Sequence, residues 1–270
     1  MKKIQALILT FLAFVLVACG NSGANTSADK PLLIGMEAGY PPYNWTQKDD
    51  SNDAVPIQGT NSFANGYDVQ IARKIGEALG RKVEVVKTDW DGLVPALQAG
   101  KVDLIIAGMS PTAERAKVVD FTDAYYASQF VLVMRKDSPF ASATKLTDFA
   151  DAKVTGQLGT LHYDLLNQLV GATVEQAQKS FPVMRVALES GKIDAYISEV
   201  PEAQSATAAN NQFTYIELPF EVADEDKLLA IGVKKGSDLT AQVNEALKAI
   251  SQAERDKMME EAIKNQPASE

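Results

Sequence analysis

The chain has 270 residues, 46% of them apolar, and carries 26 Lys and Arg against 35 Asp and Glu for a formal charge of −9. That acidic balance argues against nucleic acid and anionic lipid headgroups as partners, and the apolar share is that of a folded globular protein. A single cysteine excludes an intrachain disulfide, and one cysteine with one histidine gives no zinc-ligand spacing.

Residues 1–18 read as a signal peptide, with Lys2 and Lys3 ahead of an apolar run from Ile4 to Val17. Such a run reaches about 21 Å as a helix, short of the roughly 30 Å hydrocarbon core, so it fits a signal core better than a spanning segment. Leu16-Val17-Ala18-Cys19 resembles the lipobox of bacterial lipoproteins, which makes Cys19 the expected lipidation site. Residues 19–30 then form the lipidated cysteine and a small, polar, flexible tether. Two or three acyl chains on Cys19 anchor a protein stably to a membrane.

Pro31 opens the folded part, and Leu32-Leu33-Ile34-Gly35 reads as a buried strand running into a Pro-rich loop with Glu37, Tyr40, Tyr43 and Trp45. Aromatic rings at a strand end either stack on a ligand or stiffen the turn. Residues 46–65 are loop-like, and Gly66-Tyr67-Asp68 opens a helix with Val69, Ala72, Ile75 and Leu79 on its core face. Val83-Glu84-Val85-Val86 is the next strand, with Trp90 just past its end as a candidate stacking wall.

The apolar run Val102 to Ala107 leads into Gly108-Met109-Ser110-Pro111-Thr112-Ala113-Glu114-Arg115, which reads as strand, tight turn and helix start. Free N–H groups, hydroxyls and the Arg115 fork can converge there on one carboxylate. The alternative is an ordinary capped helix with Arg115 paired to an acid such as Asp120. The octet Ala96-Leu97-Gln98-Ala99-Gly100-Lys101-Val102-Asp103 is echoed by Ala187-Leu188-Glu189-Ser190-Gly191-Lys192-Ile193-Asp194. Each is a helix ending at a glycine before Lys-x-Asp opens a strand, so two α/β lobes of similar design are expected. The first such strand leads to Gly108 and Arg115, the second to Ser198 and Glu199, and ligands of open parallel sheets sit beyond the carboxyl ends of the strands.

Phe130 to Met134 is placed at the crossing between lobes, and Lys153 to Thr160 reads as a strand and Gly turn before a helix from Tyr163, leaving the Thr160 and Leu161 N–H groups free. Leu228 to Val233 returns the chain to the first lobe, where Val243, Leu247 and Ile250 lie on closing helices. The expected division is lobe 1 from 31–126 and 227–270 and lobe 2 from 127–226, with the two crossings forming a hinge.

Gly35-x-Glu37-x-x-Tyr40-x-Pro42-Tyr43, Gly66-Tyr67-Asp68-Val69, Trp90-x-x-Leu93-x-x-Ala96-Leu97, Gly108-Met109-Ser110-x-Thr112-x-x-Arg115, Val119-x-Phe121 and Gly159-Thr160 follow one another along the chain. This ordered set resembles the polar amino acid family of extracytoplasmic solute-binding proteins, family 3 of the ABC importers. The resemblance implies an α/β, two-lobed periplasmic-binding-protein fold of type II, with ligand in the cleft between lobes joined by a two-stranded hinge. It implies a free amino acid as ligand, delivery to an ABC permease and its ATPase subunits, and a monomer lipid-anchored on the extracytoplasmic face of the cell membrane. Neither cofactor, metal nor catalytic residue is expected.

By position, the resemblance implies that Arg115 and the backbone at Ser110 and Thr160 hold the α-carboxylate. The Gly108 carbonyl, Ser110 hydroxyl and Glu199 would hold the α-ammonium, Tyr40 and Trp90 would sandwich the side chain, and Met109, Gln157 and Leu161 would line the same cleft. Relatives commonly carry Asp at the Glu199 position, so the extra methylene must shift the ammonium or shrink the pocket. An acid at Glu37 resembles the arrangement of binders for lysine, arginine or histidine, with glutamine as the neutral alternative. Glu37 could instead pair with a protein cation such as Lys87. His162 is expected behind the ligand contacts or at the surface, and a Glu37–Glu199 acid/base pair would make a dehydratase. An amino acid sensor is the other alternative on this fold.

Overall fold

The structure, a computed structural model, describes residues 30–267. The expected signal peptide, Cys19 and all but the last residue of the tether lie outside the described residues. Strand β1 (Leu32–Met36) is followed by a small antiparallel sheet of β2 (Gly39–Tyr40), β3 (Asn44–Gln47), β4 (Val55–Pro56) and β5 (Phe63–Asn65). Three strands thus cross the stretch expected to be loop, with β5 paired antiparallel to both β3 and β4 and Trp45 and Ala64 buried. Helix α1 (Tyr67–Leu79) then returns the chain to β6 (Val83–Lys87), and α2 (Trp90–Gln98) leads to β7 (Leu104–Ile105). Both β6 and β7 pair parallel with β1, as crossover connections require. Long β8 (Val119–Ala127) ends this part of the chain.

A second sheet is built from β9 (Phe130–Arg135), β10 (Lys153–Thr155), β11 (Thr173–Val174), β12 (Ala195–Glu199) and β13 (Phe213–Glu217), in the order β11-β10-β12-β9-β13. Its helices are α3 (Leu161–Asp164), α4 (Phe181–Glu189) and α5 (Val200–Ala209). Phe130 to Met134 therefore lies inside this sheet, flanked by β12 and β13, rather than at the crossing itself. Its continuous burial is that of a central strand covered on both faces. Strand β14 (Leu228–Lys234) then enters the first sheet between β7 and β8, α6 (Leu239–Lys248) packs against β8 and α1, and α7 (Gln252–Asn265) packs against α1 and α5.

One buried cluster holds Leu32, Ile34, Ile75, Leu104, Val243 and Leu247 around the first sheet and continues through Val131, Val133 and Tyr196 on one face of the second, whose other face carries a separate cluster of Leu132, Met134, Phe149, Val154 and Ile197. The repeated octets are equivalent in detail. In each, the aspartate carboxylate accepts the N–H of a neighbouring strand, Asp103 from Leu33 at 3.1 Å and Asp194 from Lys153 at 2.9 Å. Each aspartate also donates its own N–H back to that residue's carbonyl. The lobes meet where Ala127 pairs with Leu228 and the Ser128 N–H donates to the Lys227 carbonyl at 3.0 Å. Two antiparallel connections side by side are the geometry of a hinge.

Candidate functional site

The first lobe presents its cleft residues at the ends of parallel strands: Glu37 and Tyr40 after β1, Trp90 after β6, Gly108 and Ser110 after β7. The second lobe does the same, with Gln157 and Thr160 after β10 and Glu199 as the last residue of β12. Between them lies a pocket lined by Tyr40, Trp90, Gly108, Ser110, Arg115, Gln157, Thr160, Leu161 and Glu199, together with Phe130 and His162. Nine of the eleven residues expected from sequence are thus brought to one place.

Side chains bridge this cleft directly. Trp90 Nε1 donates to the Gly159 carbonyl at 2.9 Å, and Arg115 donates to the same carbonyl at 3.3 Å. The Tyr40 hydroxyl donates to Glu199 Oε2, and Gln157 Nε2 to Glu37 Oε1 at 2.8 Å. The enclosed volume is about 20 Å³, room for roughly one water, so an amino acid can enter only after the lobes part.

Arg115 donates to the Ser110 carbonyl at 3.0 Å and lies over the Trp90 ring, 5.1 Å from its centroid. Burial holds the guanidinium pKa below its usual value, partly offset by Asp164 and Asp226. It does not pair with Asp120, which takes Lys235 at 3.7 Å and the Gly236 N–H instead. The expected helix after this turn is one 3-10 turn, Arg115–Lys117, because the chain must enter β8 two residues later. The helix expected from Tyr163 starts two residues earlier as α3 but runs for only four residues, so little helix dipole reaches the Thr160 end.

Gly108 has φ +62°, and a Cβ there would meet Tyr40 Cε1 at 3.0 Å. Its N–H donates to the Tyr125 hydroxyl, which in turn donates to Asp68 at 2.7 Å. Asn44 donates to the other Asp68 oxygen at 2.8 Å, so the aspartate of Gly66-Tyr67-Asp68 braces the turn that carries the site. Burial pushes the Asp68 carboxyl up to about 7, against these hydrogen bonds.

Three expectations are corrected. Tyr40 stacks on Tyr43 at 4.9 Å and on Phe181 at 4.3 Å, so protein rings take its faces and it offers the cleft its hydroxyl rather than a stacking wall. Met109 does not line the pocket; its side chain is buried in the core and its carbonyl accepts the Ala230 N–H. Glu37 sits behind the pocket wall, bonded to Gln157, and Lys87 bonds Thr46 instead of Glu37. Burial raises the Glu37 carboxyl to about 7, with Gln157 lowering it and Asp89 and Asp91 raising it.

Two lining residues have other histories. Phe130 belongs to the apolar run expected at the crossing, and His162 is expected behind the ligand contacts or at the surface, yet both line the pocket. His162 is buried, with Nε2 3.4 Å from Glu199 Oε1 but without hydrogen-bond geometry. Its place two residues after Thr160 on the Gly turn was the available signal. Among the described residues no group of His, Cys, Asp and Glu has the spacing to hold a metal, and no helix is long and apolar enough to cross a membrane.

The model of the bacterial extracellular solute-binding proteins, family 3, matches residues 32–264. The arginine-binding extracellular protein ArtP of Bacillus subtilis is 30% identical over 254 residues, which cover 92% of each chain. The solved structure of AbpA, an amino acid ABC transporter substrate-binding protein from Streptococcus pneumoniae bound to L-arginine, superposes with a TM-score of 0.76 at 26% identity, covering 90% of this chain and 97% of that one. An ancestral arginine-binding protein bound to glutamine gives a TM-score of 0.72 at 30% identity, covering 86% and 96%.

Proposed function

The chain belongs to the bacterial extracellular solute-binding proteins of family 3, and from that premise we propose that it captures a basic amino acid, lysine, arginine or histidine, and delivers it to the permease of an ABC importer. It is a binding protein and not an enzyme, so the dehydratase alternative falls away. Lipidation at Cys19 would tether it on the outer face of the cell membrane, within reach of the permease and its ATPase subunits.

The observation that carries the choice of ligand is Glu37. Its carboxyl, behind the lining of the closed pocket, is hydrogen-bonded across the cleft to a neutral amide, Gln157, and no salt bridge occupies it among the described residues, so parting of the lobes would uncover it without a competing cation. A ligand ammonium or guanidinium arriving there would gain a charge-assisted bond worth roughly twice a neutral one. Arg115 would take the α-carboxylate, Glu199 and the Gly108 turn the α-ammonium, and Trp90 one face of the side chain. Glutamine is the second reading, favoured by the raised Glu37 carboxyl, which when protonated can donate to an amide oxygen.

Thermal melting of the purified protein against all twenty amino acids tests both. Stabilisation by lysine, arginine or histidine alone supports the cationic reading. A larger shift with glutamine than with any basic amino acid selects the second, and no shift with any of them sinks amino acid binding.

A further inference from the structure

Behind the back wall of the cleft lies a second opening between the lobes. The Tyr40 ring, stacked on Phe181 at 4.3 Å, lines the cleft, while Gly39, its neighbour on β2, faces the other way as alternation along a strand requires. That other side is a hollow of about 340 Å³, and it shares no lining residue with the cleft. Its walls come from both lobes: Gly39, Trp45 and Lys87 from the first, Val186, Glu189 and Phe213 from the second. The volume falls within the roughly 300–1,000 Å³ usual for small-molecule sites.

The lining combines apolar surface with one uncommitted charge of each sign. Trp45 and Phe213 supply aromatic surface, and Val186 is left 65% exposed on the side of α4 turned away from buried Met184 and Leu188. The Lys87 ammonium has the neutral Thr46 hydroxyl at 2.9 Å as its partner, and the Glu189 carboxylate has the Asn210 amide at 3.3 Å. Neither takes part in a salt bridge among the described residues. Arg185, which also lines the hollow, spends its guanidinium on Glu202 and Ser205. Lys87 therefore serves neither Glu37 nor any other acid, and it stands where a ligand could use it.

We propose that this hollow is a second ligand site, for a zwitterion with an apolar body of the size of an aromatic amino acid, its carboxylate on Lys87, its ammonium on Glu189 and its side chain against Trp45, Val186 and Phe213. The match is in both signs of charge, which an uncharged aromatic or a simple fatty acid would leave half unmet. Both charged heads sit on long stems, so they can converge on the adjoining charges of one α-amino acid. Because the walls belong to different lobes, an occupant holds the lobes together. By linkage it then favours the ligand of the cleft as much as that ligand favours it.

The chain has two tryptophans, Trp45 at the hollow and Trp90 at the cleft, so two indole N–H signals in a ¹⁵N spectrum report the two sites separately. With the purified full chain saturated with L-arginine, L-phenylalanine is expected to shift the Trp45 signal saturably and to leave the Trp90 signal in place. K87M and E189Q should each weaken that binding about tenfold. A Cβ at Gly39 would meet nothing nearer than the Glu37 carbonyl at 3.9 Å, so G39L fills the hollow and should abolish the Trp45 shift while Trp90 still answers L-arginine. An unmoved Trp45 signal at millimolar L-phenylalanine overturns the site. So does a shift that K87M and E189Q leave unchanged, or that benzyl alcohol reproduces at equal strength, since either would mean an apolar hollow without charge recognition. A shift confined to Trp90 and lost with L-arginine puts L-phenylalanine in the cleft and overturns it too. Saturating L-phenylalanine should tighten L-arginine binding about fivefold; an unchanged or weaker affinity overturns the bridging of the lobes. If no amino acid moves Trp90, the reading of the cleft fails while Trp45 still decides the hollow.

Discussion

Gln157 Nε2 reaches across the cleft to Glu37 Oε1 at 2.8 Å while also donating to the Lys179 carbonyl at 3.0 Å. The acid that would choose the ligand's side chain is thus held from the opposite lobe by a neutral group. Dipole instead of charge leaves burial as the dominant influence on Glu37 and raises its carboxyl from 4.5 to about 7.

The sign of the resulting pH dependence follows from proton counting. Between about pH 4.5 and 7 the folded protein binds more protons at Glu37 than the unfolded chain does, so this group's contribution is favourable in acid and is lost as pH rises through 7. Wild-type protein is expected to lose stability relative to E37Q as pH goes from 5 to 8, with Asp68 titrating alike in both. A cationic ligand favours the ionised form, so L-arginine affinity should rise over the same interval in the wild type. Melting curves and calorimetry on the two proteins check this, and parallel pH profiles would refute it.

Arg115 presents its fork between the Ser110 and Gly159 carbonyls, one from each lobe. Opening the cleft frees it from Gly159, and a ligand carboxylate then replaces a carbonyl with a full charge. Removing one partner of a buried ion pair costs about 3–5 kcal/mol. R115A is therefore expected to weaken amino acid binding by at least about 100-fold, and R115K, which lacks the planar fork, by about tenfold or more. A loss under threefold for R115A in calorimetry would remove it from the clamp.

Gly66 has φ +126° at the start of α1, and a Cβ there would lie 2.3 Å from the Tyr43 carbonyl oxygen. The close approach lets the first helical N–H groups of Tyr67 and Asp68 donate to the Pro42 and Tyr43 carbonyls, tying the helix to the aromatic loop. Because the clash is with backbone, no rotamer relieves it. G66A is expected to cost about 3 kcal/mol or more in urea unfolding. A loss below about 1 kcal/mol would mean that the loop moves freely.

Much of this was legible in the chain because the signals were local. Gly100 and Gly191 announced left-handed helix ends, and both adopt positive φ in equivalent places. Turns at strand ends bring Arg115, Trp90 and Thr160 to one pocket, since those turns dictate where side chains point. What escaped depends on the approach of distant segments. Phe181, 141 positions from Tyr40, closes over that ring and changes its role from wall to donor. His162 gained its place only when Glu199 arrived from β12, and no spacing along the chain encodes that meeting. The strands between residues 44 and 65 are hidden by polar composition, for they pair mainly with one another and are too short for an alternating apolar pattern to show.

The last expectation concerns the carboxylate of Glu202, fully buried in α5. Arg185 from α4 meets it at 2.8 Å, and the Ser198 and Tyr196 hydroxyls donate to it at 2.5 and 3.2 Å. Arg185 also donates to Ser205, whose hydroxyl contacts Gln266 just past α7, so the network joins the two lobes away from the cleft. R185M would leave the carboxylate buried without a cation and is expected to cost about 3–5 kcal/mol. The double change R185M with E202L removes both charges, and its cost should be much smaller than the sum of the single changes, giving a coupling of about 1–3 kcal/mol in a double-mutant cycle. Additive losses in chemical unfolding would show that the two side chains do not stabilise each other. Coupling of R185M to E202L, without coupling of R185M to S205A in the same kind of cycle, would assign the stability to the ion pair instead of the contact between lobes.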